Sequence, residues 1–403
     1  MKKITNSLVF RIVLGIIIGI LIGLVSNQTT AIVLLAIRDI LGDVIKFVVP
    51  LIILGFITPA IVSLKHNVGK ILTVTLLICY ISSVGAALFS IFAGYKIIPN
   101  LNIASSVAEA VSLPDSPFKL TIEPIMPVMT ALIFSIFLGI AVIKTKANYF
   151  ENLLEEFNKI VLFIVEKIVI NILPIYIIAT FAILSYERVI ITQLPIFLIV
   201  ILIVIVGHII WLALLYSIGA ILSKTNPFEV LKHYPAAYAT ALGTMSSAAS
   251  LSMCLRSASK AKTLSPKIRN FVIPLCSNTH LCGSVLTETF FVMVVYKILS
   301  PTSAMPPVSN MIMFAFLLGI FAIAAPGVPG GTVVASLGLI ISLLGFDNNA
   351  TALMLSIFAL QDSFGTACNI TGDGAIALMV TGIFKQVPGR NGNPNHTLDE
   401  EIE

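Results

Sequence analysis

The chain has 403 residues, 58% of them hydrophobic and 11% charged, with a formal net charge of +5 and a mean hydropathy of +1.04. Soluble domains carry about 25% charged residues, so this composition excludes a water-soluble enzyme and points to an all-α protein that crosses a membrane many times. The small positive excess gives no basis for nucleic-acid binding and matters only through where the basic residues fall.

A bilayer core of about 30 Å needs about 20 apolar residues of helix. Runs that qualify fall at about 8–26, 31–63, 71–98, 125–144, 157–185, 194–223, 268–298 and 350–384, which predicts eight spans. The first follows Lys2 and Lys3 but is longer than a signal-peptide core and has no small-residue cleavage site after it, so it is read as a span. Pro50 and Pro174 interrupt long runs and predict tilt or kinks. Arg11, Lys65, Lys70, Lys144, Lys146 and Lys159 lie at one set of span ends, joined by Lys224, Lys232, Arg256, Lys260, Lys262, Lys267, Arg269, Lys385 and Arg390. The opposite loops hold little beyond Lys119, Arg188 and Lys297, an asymmetry that predicts both termini on the cytoplasmic side of the cell membrane. The mixed-charge stretch Glu151 to Lys159 reads as a solvated cytoplasmic helix face, and 386–403 as a disordered tail. Cys79, Cys254, Cys276, Cys282 and Cys368 show no paired spacing and read as small buried side chains rather than a disulfide framework.

Two apolar segments do not read as spans. Tyr234 to Lys260 has Gly243, Thr244, Met245, Ser246 and Ser247 at its centre, and each arm is only about 18 Å of helix, too short to cross. Asn310 to Gly345 is broken by Ala325-Pro326-Gly327-Val328-Pro329-Gly330-Gly331, which cannot continue a helix. Both are expected to enter the membrane and turn back, from opposite faces, as inverted repeats. Non-helical backbone at membrane depth costs several kcal/mol per unpaired group unless protein or a hydrated cavity satisfies it, so such breaks mark a binding site.

The last span carries Asp362, Thr366, Asn369 and Asp373 at spacings of four, three and four. At 100° per residue they share an arc of about 60°. An ionised carboxylate at the bilayer centre costs on the order of 2.5 to 3.5 kcal/mol, and no Lys or Arg is near in sequence. Mobile partners are therefore expected, an ammonium group on a substrate and a hard cation held by oxygen.

These residues resemble the dicarboxylate/amino acid:cation symporters, nearer the serine/threonine branch. The resemblance runs over nearly the whole chain and is carried by Thr244-Met245-Ser246-Ser247, Ile273-Pro274-Leu275 leading to Gly283-Ser284, Gly327-Val328-Pro329-Gly330, and Gln361-Asp362-Ser363 continuing to Thr366, Asn369, Gly372 and Asp373. It implies a homotrimer working by elevator alternating access. Scaffold helices at about 8–63 and 125–185 would stay fixed, while a transport core at about 71–98 and 194–385 moves, all within one transporter domain, 1–385. It implies that Asp362 and Thr366 take the substrate amino group, that Asn369 with the Ser246 and Ser247 backbone takes the carboxylate, that Ser284 and Gly365 line the site, and that Gly327, Val328, Pro329 and Gly330 close it. One sodium is implied at Asp373 with carbonyls near Cys276, His280 and Asn369, another near Asn278 and Leu281. A third cation site, at Ser82, Ser83 and Cys282, would be weakened because the family's aspartate there is Cys282.

Acidic-substrate members carry an arginine where this chain has Gly365, and Met245 stands at the other position relatives use. A guanidinium is the efficient partner for a carboxylate, so a small neutral amino acid such as serine, threonine or alanine is the expected cargo, coupled to sodium and without an organic cofactor. A dicarboxylate or acidic amino acid symporter, with protons as coupling ion, is the alternative. His280, where the family has asparagine, is either a neutral hydrogen-bonding group or a titrating one. Two other classes are weighed: an intramembrane hydrolase built on Ser246, Ser247, His208 and His280 lacks any nucleophile elbow, and a passive channel would show rings of carbonyls or charges along a pore.

Overall fold

A computed structural model describes residues 8–63, 70–101, 122–187, 189–300 and 304–384. Lys2, Lys3, Lys65, Lys119, Arg188, Lys385, Arg390 and the 386–403 tail lie outside the described residues. Every regular element described is helical: α1 (Leu8–Val25), α2 (Gln28–Ser63), α3 (Lys70–Ile97), α4 (Val128–Thr145), α5 (Asn148–Ile164), α6 (Ile170–Tyr186), α7 (Val189–Ser223), α8 (Phe228–Leu231), α9 (Pro235–Thr244), α10 (Ser247–Ser259), α11 (Pro266–Thr279), α12 (Cys282–Leu299), α13 (Val308–Ala324), α14 (Gly331–Leu344) and α15 (Asn348–Ile383). By length and hydropathy, five described segments suffice to cross a bilayer: Gln28–Val62, Lys70–Asn100, Asn148–Tyr186, Ile196–Ser223 and Pro266–Leu299. Leu202 and Ile209 on α7, Phe92 on α3 and Phe137 on α4 are each more than 60% exposed, a surface that hydrocarbon or another apolar face covers at low cost.

α1 lies along α6 because Gly15, Gly19 and Gly23 recur every fourth residue and leave that face without side chains. A Cβ at Gly23 would sit 2.2 Å from the Ala182 carbonyl oxygen, so no other residue allows this approach. α2 packs on α4, α5 and α6; α3 packs on α12 and α13; α7 and α12 flank α15. α2 runs through Pro50 and α6 through Pro174, and a π-helical turn at Val165–Val169 joins α5 to α6. This helix starts at Asn148, ahead of the span expected from 157; of the stretch read as a solvated face, Glu155, Glu156 and Lys159 are exposed and Glu151 is buried.

The two expected breaks are present. α9 gives way to α10 at Met245, which adopts a left-handed conformation (φ 53), and Ser246, which caps α10 by accepting from the Ala249 N–H at 3.2 Å. α13 and α14 are separated by Ala325 to Gly330, with Gly330 at φ 71. A third break corrects the expected single span at 268–298: the helix stops at Thr279, and His280 and Leu281 are non-helical (φ −117, ψ 89 and φ −110, ψ 39) before α12 begins. What permits this lies on another helix. The Asn369 Oδ1 of α15 accepts from the Gly283 N–H at 2.7 Å and the Ser284 N–H at 3.2 Å, satisfying donors that a helix start leaves unpaired.

Candidate functional site

The three breaks converge on the polar stripe of α15. Asp362, Thr366, Asn369 and Asp373 are all buried, at 4%, 3%, 2% and 0% exposure, so the shared arc read from their spacing faces the protein interior. α15 can carry it because glycines admit its neighbours: a Cβ at Gly372 would lie 2.9 Å from the His280 ring, and one at Gly283 2.5 Å from both the Cys368 Cβ and the Gly365 carbonyl oxygen.

Each carboxylate has a partner from the protein itself, which the sequence did not lead one to expect. The Gly330 N–H donates to Asp362 Oδ2 at 2.7 Å, at the positive end of α14. Asp373 Oδ1 lies 3.1 Å from His280 Nδ1, and His280 Nε2 lies 2.9 Å from Ser82 Oγ. The imidazole is fully buried and bridges α3 to α15 across the broken span. Asp373 Oδ2 and Ser83 Oγ are buried without a hydrogen-bond partner, so an unshared carboxylate oxygen faces the interior beside the non-helical backbone of His280 and Leu281. Oxygen donors of this kind suit a hard cation. Among the described residues no group of three or more His, Cys, Asp and Glu is placed to hold a metal ion.

The tips of the two broken segments touch. Ser246 Oγ donates to the Gly327 carbonyl at 2.7 Å, and the Ala248 N–H reaches the same oxygen at 3.4 Å. Asn278 sits beneath Gly327, where a Cβ would stand 3.2 Å from its Oδ1. Thr244 and Ser250 hydroxyls join at 2.9 Å within the first tip. Beside Asp362 is a cavity of about 10 Å³, walled by Met245, Pro329, Gly330, Val333 and Phe358, with Val169, Ile170 and Leu173 closing it from the π turn and α6. That volume holds one water and no amino acid.

The predicted residues do not all stand free. Asn369 is engaged at both ends, its Nδ2 donating to Ser284 Oγ at 2.9 Å while its Oδ1 caps α12. Gly365 packs against Ser284 at 3.4 Å from where a Cβ would be. The Cys276 carbonyl accepts the His280 N–H at 2.8 Å, and its thiol lies 3.6 Å from that of Cys79. Cys282 is fully buried beside the Gly372 position, and Leu281 is buried in the break. Thr366 and Ser247 lie buried, and Val328 accepts the Gly331 N–H at 3.0 Å.

Two further buried polar residues are paired across helices. Glu288 on α12 accepts a hydrogen bond from Ser336 of α14, tying the second broken pair to the broken span. His208 on α7 lies 3.0 Å from the Gly283 carbonyl and 2.9 Å from Thr287 Oγ1. Nothing local in the sequence signals either pairing, since partners stand 48 and 75 or 79 residues away.

A protein-family profile described as the sodium:dicarboxylate symporter family matches residues 8–383. The chain is 26% identical over 204 residues to excitatory amino acid transporter 2 of Mus musculus, covering 50% of this chain and 34% of that protein. It is 23% identical over 195 residues to neutral amino acid transporter B(0) of Homo sapiens, covering 48% and 35%, and 23% identical over 173 residues to human neutral amino acid transporter A, covering 42% and 31%. The matched region thus spans about a third of each relative's length. The match to the family profile extends from the first described helix to the last, and the chain belongs to the sodium:dicarboxylate symporter family, a family of membrane transporters rather than enzymes.

Proposed function

We propose that this protein is a secondary symporter that imports a small neutral amino acid of the serine, threonine or alanine type with sodium, by elevator alternating access. The observation that carries the reading is the meeting of both broken tips over the polar stripe, with the Gly330 N–H seated on Asp362. A gate that seats a backbone N–H on a carboxylate must exchange that contact for one to the cargo when it opens. An ammonium group is the natural replacement, because it meets the same carboxylate with a full charge rather than a partial one.

In this reading α9 with α10 and α13 with α14 are re-entrant hairpins entering from opposite faces. Asp362 and Thr366 bind the substrate amino group. Asn369 Nδ2, released from Ser284, binds the α-carboxylate together with the backbone at Ser246 and Ser247. Gly327, Val328, Pro329 and Gly330 form the gate. Asp373 Oδ2, with carbonyls of Cys276, His280 and Asn369, holds one sodium, and the backbone near Asn278 and Leu281 a second. The third site at Ser82, Ser83 and Cys282 is weakened, with Cys282 in place of the family's aspartate and Ser82 paired with His280. The spans at about 8–63 and 125–185 form the scaffold of a homotrimer, the remainder the moving core, with both termini cytoplasmic in the cell membrane. Gly365 and the buried Met245 offer no cation to a side-chain carboxylate, which supports neutral over acidic cargo.

Counterflow in proteoliposomes with a panel of labelled amino and dicarboxylic acids, sodium and pH varied independently, tests this. Sodium-dependent exchange of serine that aspartate does not inhibit is expected. Strong inhibition by aspartate with none by serine overturns the substrate assignment.

A further inference from the structure

The start of α15 is held by a polar cluster far from the stripe. Arg38 on α2, only 6% exposed, donates through Nη1 to Asn349 Oδ1 and through Nε and Nη2 to Asp39 Oδ1 at 3.0 and 2.7 Å. Asn348 Nδ2 donates to the same Asp39 oxygen at 3.2 Å, and Tyr176 Oη on α6 donates to the Asn348 carbonyl at 3.0 Å. Gly42, one turn along α2, leaves room for Asn348: a Cβ there would lie 3.3 Å from its Oδ1. Asp43 and Asp347 share this corner. At the end of α6, burial raises the Glu187 carboxyl above its ordinary value while Arg38 pulls it back. One guanidinium therefore serves several acidic groups and also fixes the first residues of α15.

The cluster also has a position along the helices. Arg38 is ten residues from the start of α2 and Tyr176 ten from the end of α6, about 15 Å in each case. The first turn of α15 is thus set well inside the ends of the two helices that hold it. Both α2 and α6 belong to the proposed scaffold and α15 to the proposed core, so contacts made at this depth cannot survive a sliding of one past the other.

We infer that Arg38 is a positioning residue for transport: it latches the start of α15 to α2 and α6 in this conformation, and the latch releases each time the core moves. This rests on the elevator reading above. Hydrogen bonds to charged groups are among the stronger ones, so losing the Arg38 to Asn349 bond is expected to shift the conformational equilibrium about tenfold.

The test is pulsed electron spin resonance on full-length protein in lipid nanodiscs, with spin labels at Tyr149→Cys on α5 and Phe228→Cys on α8, which are 95% and 66% exposed, while all five native cysteines are buried. Wild type is expected to give two distance populations. Arg38→Ala and Asn349→Ala each deplete the one matching this structure about tenfold, the double variant no further than either single. Asn349→Asp, which converts the bond to an ion pair, enriches it and slows serine exchange in vesicles without changing the concentration for half-saturation. Two populations that none of these variants moves, or fully additive shifts, overturn the latch and leave the elevator intact. A single population in every protein, unchanged by sodium and serine, overturns the elevator and the latch with it.

Discussion

Gly283→Ala tests whether the third break is built around contact between α12 and α15. The added Cβ would lie 2.5 Å from the Cys368 Cβ and 2.5 Å from the Gly365 carbonyl oxygen, against about 3.5 to 4.0 Å for ordinary contact. The helices must separate by about 1 Å, and backbone on one side leaves no flexible side chain to yield. Overpacking of this kind costs about 1 to 3 kcal/mol. The separation also stretches the 2.7 Å bond from the Gly283 N–H to Asn369, so the cap on α12 weakens along with the packing. All five cysteines are free and buried, so a thiol-reactive fluorophore reports unfolding directly on heating. The melting midpoint should fall by about 1 to 4 °C. Gly243→Ala is the control, because nothing lies within 4 Å of a Cβ there, and replacing a helical glycine stabilises by about 0.5 to 1 kcal/mol. Equal midpoints for Gly283→Ala and wild type, or an equal fall for Gly243→Ala, would refute the reasoning.

Ser246→Ala removes both the α10 cap and the hydroxyl bond to Gly327; a stability loss of about 1 to 2 kcal/mol and faster unidirectional efflux through a looser gate are expected, measured by melting and by vesicle efflux. Gly365→Arg places a guanidinium beside the site and should move inhibition of serine uptake from neutral toward acidic amino acids, read as a ratio of half-inhibitory concentrations for aspartate and alanine. Ser336→Ala leaves the Glu288 carboxyl, whose Oε2 already lacks a partner, without its hydroxyl donor. It should lower stability by about 1 to 3 kcal/mol, while Glu288→Gln in the same background restores part of the loss.

Much of the fold was legible because the bilayer imposes a length rule on apolar runs and because prolines and glycines cannot be hidden inside a helix. Both broken pairs fell where the Ser-rich and Pro-Gly-rich centres placed them. The break at His280 was not legible: 268–298 reads as one long run, and the group that makes stopping tolerable, Asn369, lies 86 residues from Gly283. The inward stripe of α15 followed from spacing alone. The partners of its carboxylates did not, since a backbone N–H such as that of Gly330 carries no signature in a sequence. His280 was noticed as a substitution, but its bridge from Ser82 to Asp373 depends on how α3 and α15 pack. Arg38 was not singled out, because only the folded chain brings Asn349 to it.

The most direct measurement is sodium-gradient-driven accumulation of labelled serine in vesicles containing wild type, Asp362→Asn or Asp373→Asn. Wild type should concentrate serine only with sodium outside. Asp362→Asn should lose serine binding yet keep sodium binding, seen as sodium-dependent protection of the buried thiols on heating, and Asp373→Asn should lose the sodium dependence itself. Accumulation that continues undiminished in both variants would contradict the assignment of the two carboxylates to substrate and ion.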